Sequence, residues 1–239
     1  MEEVKSKTKQ TKTQVYNVII LDKSGSMESI RQAAISGFNE TLNGIKKALE
    51  KFVDTQEHYV SLVAFCSCET KQIFDKVAVA DARHLTMEDY QPCCCTPLYD
   101  AMGFTLTTMR KHVKSIEDAV VVVTIITDGM ENDSKEYTGA AVKQLVEHLK
   151  GEGWTFTYMG ANQNSTEIAF NLSIRNSRNF DYSAQGTMSA MAKDTSTRMN
   201  FFGRLHAFSG KKGLYAGGIC KQMYTEMANE AFDEEESKR

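Results

Sequence analysis

Hydrophobic and polar positions along the chain switch repeatedly between two periods. From Val15 to Met27 the sequence VYNVIILDKSGSM begins with an apolar run, Val18 to Leu21, that suits a strand covered on both faces, and it ends abruptly at Asp22. From about Ser29 to Phe52, Ile30, Ala33, Ala34, Phe38, Leu42, Ile45 and Leu49 recur at three- and four-residue steps, which predicts an amphipathic helix. His58 to Ser67 reads as a second strand, and Lys71 to Ala80 as its antiparallel hairpin partner at a sheet edge. A loop over 81–96 precedes a helix that Pro97 opens and that runs to about Lys114. AVVVVTIIT, Ala119 to Thr127, is the most apolar run and predicts a central strand, again ending in an acid, Asp128.

The same alternation continues. A helix is expected over 137–150, a strand over 154–159, a short helix near 166–172, a short strand near 179–182 and a helix over about 187–202. Strand–helix alternation of this kind implies right-handed crossovers. The expected fold is α/β: a three-layer, Rossmann-like, doubly wound and mainly parallel sheet with one antiparallel edge strand. Residues 1–13 read as a polar tail, 14–209 as the domain, and 210–239 as a linker and acidic tail with a short helix. In that tail the acids at the helix end oppose its dipole, so fraying is expected.

Composition narrows the function. A hydrophobic content of 41% and a charged content of 25% are those of a globular chain, and a net charge of −3 gives no electrostatic reason to expect nucleic acid or an anionic membrane as partner. No stretch reaches the roughly 18 apolar residues needed to cross a bilayer, and MEEVKSKTKQTKTQ lacks the pattern of a secretory signal, so a cytoplasmic protein is expected. In that setting the six cysteines, Cys66, Cys68, Cys93, Cys94, Cys95 and Cys220, are expected to be free thiols. A zinc or redox role is the competing reading, although Cys-x-Cys with Cys-Cys-Cys lacks paired-knuckle spacing.

Candidate chemistry sits where strands end. Asp22, Ser24 and Ser26 follow the first strand, Thr96 precedes a helix and Asp128 ends the central strand, so five hard oxygen donors are expected at one sheet edge. Taken singly, each hydroxyl is equally suited to cap the helix after it. Glu131, Asn132 and Asp133 read as a solvated turn or as a rim beside the site. The five histidines are scattered without paired spacing, and there is no phosphate-binding glycine loop.

D-K-S-G-S-M after the first strand, T-P-L-Y-D-A opening a helix and T-D-G ending a central strand resemble the von Willebrand factor type A family. The resemblance covers about Val15 to Ser209, and MGANQNSTEIAFNLSI is similar to bacterial intracellular members. It implies a metal-ion-dependent adhesion site with Asp22, Ser24, Ser26, Thr96 and Asp128 around one Mg²⁺, with Mn²⁺ or Ca²⁺ also suited. It implies a binding module and not an enzyme, with a partner Asp or Glu completing the metal shell. Where relatives often have glycine before the threonine, this chain has Cys93, Cys94 and Cys95. A metal-dependent phosphoester hydrolase is the alternative, and it lacks an identifiable general base. Self-association, with Asp233 to Glu236 supplying the carboxylate to a neighbour, is a further expectation.

Overall fold

The computed structural model describes residues 12–161, 164–209 and 221–238. The N-terminal polar stretch and Cys220 therefore lie outside the described residues. The strands are β1 (Thr13–Asp22), β2 (Gln56–Cys66), β3 (Glu69–Ala78), β4 (Ala119–Thr127), β5 (Thr155–Ala161) and β6 (Asn176–Phe180). The helices are α1 (Arg31–Lys51), α2 (Leu98–Val113), α3 (Gly139–Gly151), α4 (Ser165–Asn171), α5 (Ala184–Ser209) and α6 (Gln222–Glu236).

One six-stranded sheet runs in the order β3-β2-β1-β4-β5-β6. All pairings are parallel except β2 with β3, as the short hairpin turn requires. The strand order reverses at β1, so a crevice opens beyond the carboxyl ends of β1 and β4. Asp22 ends β1 there, and Asp128 directly follows β4.

Side chains along the central strands alternate between the two faces. Val18 and Ile20 of β1, with Val121, Val123 and Ile125 of β4, pack with Leu98, Met102 and Leu106 of α2 and Val142 and Val146 of α3. On the opposite face Ile19 and Leu21 pack with Phe38 and Leu42 of α1 and Met191 of α5. A further cluster joins Val15, Val120 and Val122 to Phe201, Phe202 and Phe208 of α5 and to Tyr224 and Phe232 of α6. This is the expected three-layer arrangement.

Several elements differ from the sequence reading, among them β6, which was expected near 179–182 and spans Asn176–Phe180. The first helix begins with a 3₁₀ turn, Gly25–Ile30, because the loop that carries Ser24 and Ser26 must tighten before α1. Helix α5 continues to Ser209, seven residues past the expected stop at Phe202, because Leu205 and Phe208 are buried against neighbouring elements. The acidic end of α6, expected to fray, is helical to Glu236, and its acids are paired: Asp233 with Arg175, Glu234 with Arg204 and Glu236 with Arg178.

Candidate metal centre

The five oxygen-bearing residues converge. Ser24 stands at the N-cap of the 3₁₀ turn but makes no side-chain capping bond. Its Oγ instead lies 3.1 Å from that of Ser26, and Ser26 Oγ donates to Asp128 Oδ1 at 2.7 Å. The Ser24 N–H donates to Asp22 Oδ1 at 2.7 Å, so the loop folds back on the acid that precedes it. Helix α2 also begins without a side-chain cap, at Pro97, which leaves the Thr96 hydroxyl to face the site. A Cβ placed on Gly129 would sit 3.1 Å from Thr96 Oγ1 and 3.7 Å from Asp22 Oδ2, so a side chain there would crowd the threonine hydroxyl. The hydroxyls of Ser24 and Thr96 thus serve the crevice in place of the caps they were equally suited to make.

The two acids lack a cationic partner among the described residues. Asp22 is fully buried, and burial pushes its carboxyl up to about 6, against hydrogen bonds from Thr127 and Ser24 that favour the anion. The negative charge of Asp128 raises it further. Asp128 is itself raised, again chiefly by burial. The Lys23 side chain lies between Asp22 and Ser24 in sequence but turns away to Glu69. An oxygen-only donor set with two buried or half-buried carboxylates and no basic neighbour fits a hard divalent cation.

Several positioning residues were not identified from sequence. Thr127 donates to Asp22 Oδ2 at 2.6 Å and accepts from the Gly129 N–H at 3.1 Å, fixing both the acid and the turn after β4. Tyr90 is fully buried and its hydroxyl donates to the Asp22 carbonyl, while Tyr182 donates to the Ser26 carbonyl. Asn132 accepts from the Thr96 N–H at 2.8 Å through Oδ1, and Glu131 accepts from the Tyr99 N–H at 2.9 Å. Glu131 and Asn132 therefore brace the threonine loop and are not a free solvated turn. Asp100 completes this bracing by accepting from the N–H groups of Lys135, Glu136 and Tyr137. The T-D-G motif contained Thr127, but a threonine ending an apolar strand carries no local sign of which acid it touches.

The cysteines correct the free-thiol expectation. Cys68 and Cys94 are disulfide-bonded, with Cα atoms 6.4 Å apart, inside the range a disulfide spans. Parallel pairing of β1 with β2 carries the β2–β3 turn beside the loop before Thr96, a juxtaposition that spacing along the chain does not reveal. Cys66, Cys93 and Cys95 are free, and Cys66 Sγ lies 3.2 Å from Cys93 Sγ. That contact and burial push the Cys93 thiol up.

No protein-family model matches the sequence, and no curated protein matches it. Solved structures do. The chain is similar to the pilus adhesin SpaC from Lactobacillus rhamnosus GG in its open conformation, with a TM-score of 0.61 and 14% identity over 81% of this chain and 31% of that one. It is similar to a von Willebrand factor type A protein from Catenulispora acidiphila, with a TM-score of 0.51 and 16% identity over 79% and 43% of the two chains. Proximal thread matrix protein 1 from the mussel byssus, in a structure with a zinc occupied MIDAS motif, gives 0.52 and 15% over 79% and 46%. The chain spans less than half the length of each of these proteins. The fold is that of a von Willebrand factor type A domain. Among the described residues no helix is long and apolar enough to cross a membrane.

Proposed function

We propose that this chain is a divalent-cation-dependent protein-binding module whose cation sits among Asp22, Ser24, Ser26, Thr96 and Asp128. The observation that carries the reading is the convergence of three hydroxyls and two carboxylates from three separate loops on one crevice, with no basic side chain bonded to either acid among the described residues. Such donors suit Mg²⁺ first, then Mn²⁺ or Ca²⁺. The zinc occupied MIDAS motif of the mussel protein supports a divalent ion on this fold.

Two carboxylates would balance the charge of one divalent ion, and five protein donors would leave a position of a six-coordinate shell for an external oxygen. A partner Asp or Glu fills that position, and the neighbouring loops select which one. When bound, the cation supplies an electrophilic anchor for that carboxylate. The protein's own part is to hold the hydroxyls in place through Thr127, Asn132 and Glu131.

Thr96→Ala removes one donor without touching the sheet. Calorimetric titration with Mg²⁺ and Mn²⁺ should show binding to the natural chain and loss of it in Thr96→Ala and Asp22→Ala, with far-UV dichroism preserved in Thr96→Ala. Asn132→Ala should weaken cation affinity by about 10–100-fold, the usual effect of removing a group that orients a ligand. Partner capture that persists unchanged in excess chelator would refute the reading.

A further inference from the structure

Four sulfur atoms form a second cluster that the oxygen site does not use. Cys66 ends β2 and Cys68 lies in the turn to β3, while Cys93 and Cys94 belong to the loop that leads into Thr96. The segments are joined by their backbones before any sulfur chemistry is considered. The Ser67 N–H donates to the Cys95 carbonyl at 3.1 Å, and the Cys95 N–H donates to Ser67 Oγ at 3.0 Å. The Cys93 N–H donates to the Lys23 carbonyl at 2.8 Å, and the Gly25 N–H to the Cys94 carbonyl at 3.0 Å.

This framework brings three of the sulfurs together and ties the fourth, that of Cys94, to one of them. Sγ of Cys66 is 3.2 Å from that of Cys93, Cys68 is bonded to Cys94, and the Sγ atoms of Cys66, Cys68 and Cys93 all lie within 4.8 Å of one another. Adjacent residues of an extended chain direct their side chains to opposite sides. Cys93 and Cys94 escape that rule because Cys94 adopts φ 62°, a left-handed conformation that disfavours a side chain by about 1–2 kcal/mol. The hydrogen bonds on either side hold it there, so that Cys93 reaches Cys66 while Cys94 reaches Cys68. A tetrahedral zinc with Zn–S bonds of about 2.3 Å sets its sulfurs roughly 3.8 Å apart, a spacing within the 4.8 Å limit that Cys66, Cys68 and Cys93 satisfy.

We propose that, when the Cys68–Cys94 bond is reduced, Cys66, Cys68, Cys93 and Cys94 bind one Zn²⁺ as four thiolates. A phosphine supplies the two electrons that break the S–S bond; it takes the oxygen of one water to become the phosphine oxide, and the two protons of that water give two thiols. Binding then transfers the four thiol protons to solvent as four Zn–S bonds form. The disulfide and the zinc site are alternative states of the same sulfurs. Soft thiolates and hard oxygens then select different metals on neighbouring stretches of one edge. The zinc ties the β2–β3 turn to the loop that carries Thr96.

Anaerobic reduction of the full chain with a phosphine, followed by Co²⁺ as a spectroscopic probe, tests the site. The expected spectrum has intense tetrahedral d–d bands and sulfur-to-cobalt charge transfer, bleached by roughly one equivalent of Zn²⁺. It should persist in Thr96→Ala, which separates it from the oxygen site, and in Cys95→Ser. It should be lost in Cys68→Ser and Cys94→Ser, chosen because both positions are exposed and tolerate serine more readily than the buried Cys66. Zn²⁺ should also shield those four cysteines from iodoacetamide while Cys95 reacts. Absence of the charge-transfer band in the reduced natural chain, its survival in Cys68→Ser and Cys94→Ser, or alkylation of the four cysteines at the same rate with and without Zn²⁺ would overturn the proposal.

Discussion

His58 of β2 has an imidazole that is almost fully buried, packed edge-on against Phe202 with ring centroids 4.6 Å apart. Its Nε2 lies 3.0 Å from Gln56 Oε1, and its Nδ1 has no hydrogen-bond partner. Burial, with the nearby Arg198 charge, lowers its pKa from 6.5 to about 4. The unfolded chain therefore takes up this proton at a higher pH than the folded one does. Stability from neutral His58 is complete above about pH 6.5 and is lost as pH falls toward 4, by on the order of 3 kcal/mol. Asp22 and Asp128 have raised pKa values and act with the opposite sign, so the natural chain alone does not isolate the effect. Between pH 7 and 4.5, urea denaturation of His58→Leu should show a signed stability change shifted toward stabilisation on acidification relative to the natural chain; an identical change in both would exclude His58 as the source. The histidines are scattered in sequence without paired spacing, and His58 is a packing residue. Its burial depends on Phe202, which is 144 residues away and outside any local pattern.

Among elements, α5 departs most from a simple apolar stripe. Asp194 and Arg198 are buried one helical turn apart, and Arg198 Nε donates to Asp194 Oδ2 at 2.8 Å. The same guanidinium donates to Asn17 Oδ1 of β1 at 2.9 Å and to Thr124 Oγ1 of β4 at 2.6 Å. This network explains why a polar Asn17 interrupts the apolar β1 and why the periodicity of α5 is weak. An ion pair in such a place adds little net stability when complete but is costly to break from one side. Arg198→Met should destabilise the fold by about 3–5 kcal/mol in urea denaturation, and adding Asp194→Leu should recover part of the loss. A double variant as unstable as the sum of the single ones would show that the two residues are not coupled. The strands were readable because their apolar runs are local. The long helix was readable over 187–202, but its full length and its inward polar positions were not, since those make sense only with β1 and β4 beside it.

At the scale of the whole molecule, α6 closes the cluster that the lower parts of β1 and β4 share with α5. Tyr224, Ala228, Ala231 and Phe232 are buried there, and the Arg178 guanidinium sits 4.4 Å from the Phe232 ring centroid. The Tyr224 hydroxyl donates to Asp118 at 2.9 Å, just before β4. The acids once considered as carboxylates for a neighbour's metal are occupied within the chain, Asp233 by Arg175 and Glu236 by Arg178. At about 1.5–3 kcal/mol for each large side chain, loss of Tyr224 and Phe232 alone removes several kcal/mol. Ending the chain at Ser209 should therefore lower the melting temperature markedly. Cation binding should survive at low temperature, because none of the five oxygen donors contacts α6; an unchanged melting curve would mean that α6 contributes no stability.

The sequence by itself determined the alternation of strands and helices, the antiparallel edge hairpin and the five oxygen donors at strand ends. Each of these follows from hydrophobic period or from residues a few positions apart. Tertiary structure decided which hydroxyls face the crevice and which would cap, and that Thr127, Asn132 and Glu131 hold them. It also decided the buried Arg198 network, the seat of α6 and the meeting of Cys66 and Cys68 with Cys93 and Cys94. These are contacts between groups tens to more than a hundred residues apart. They are set by strand order and parallel register, which local patterns limit but do not specify.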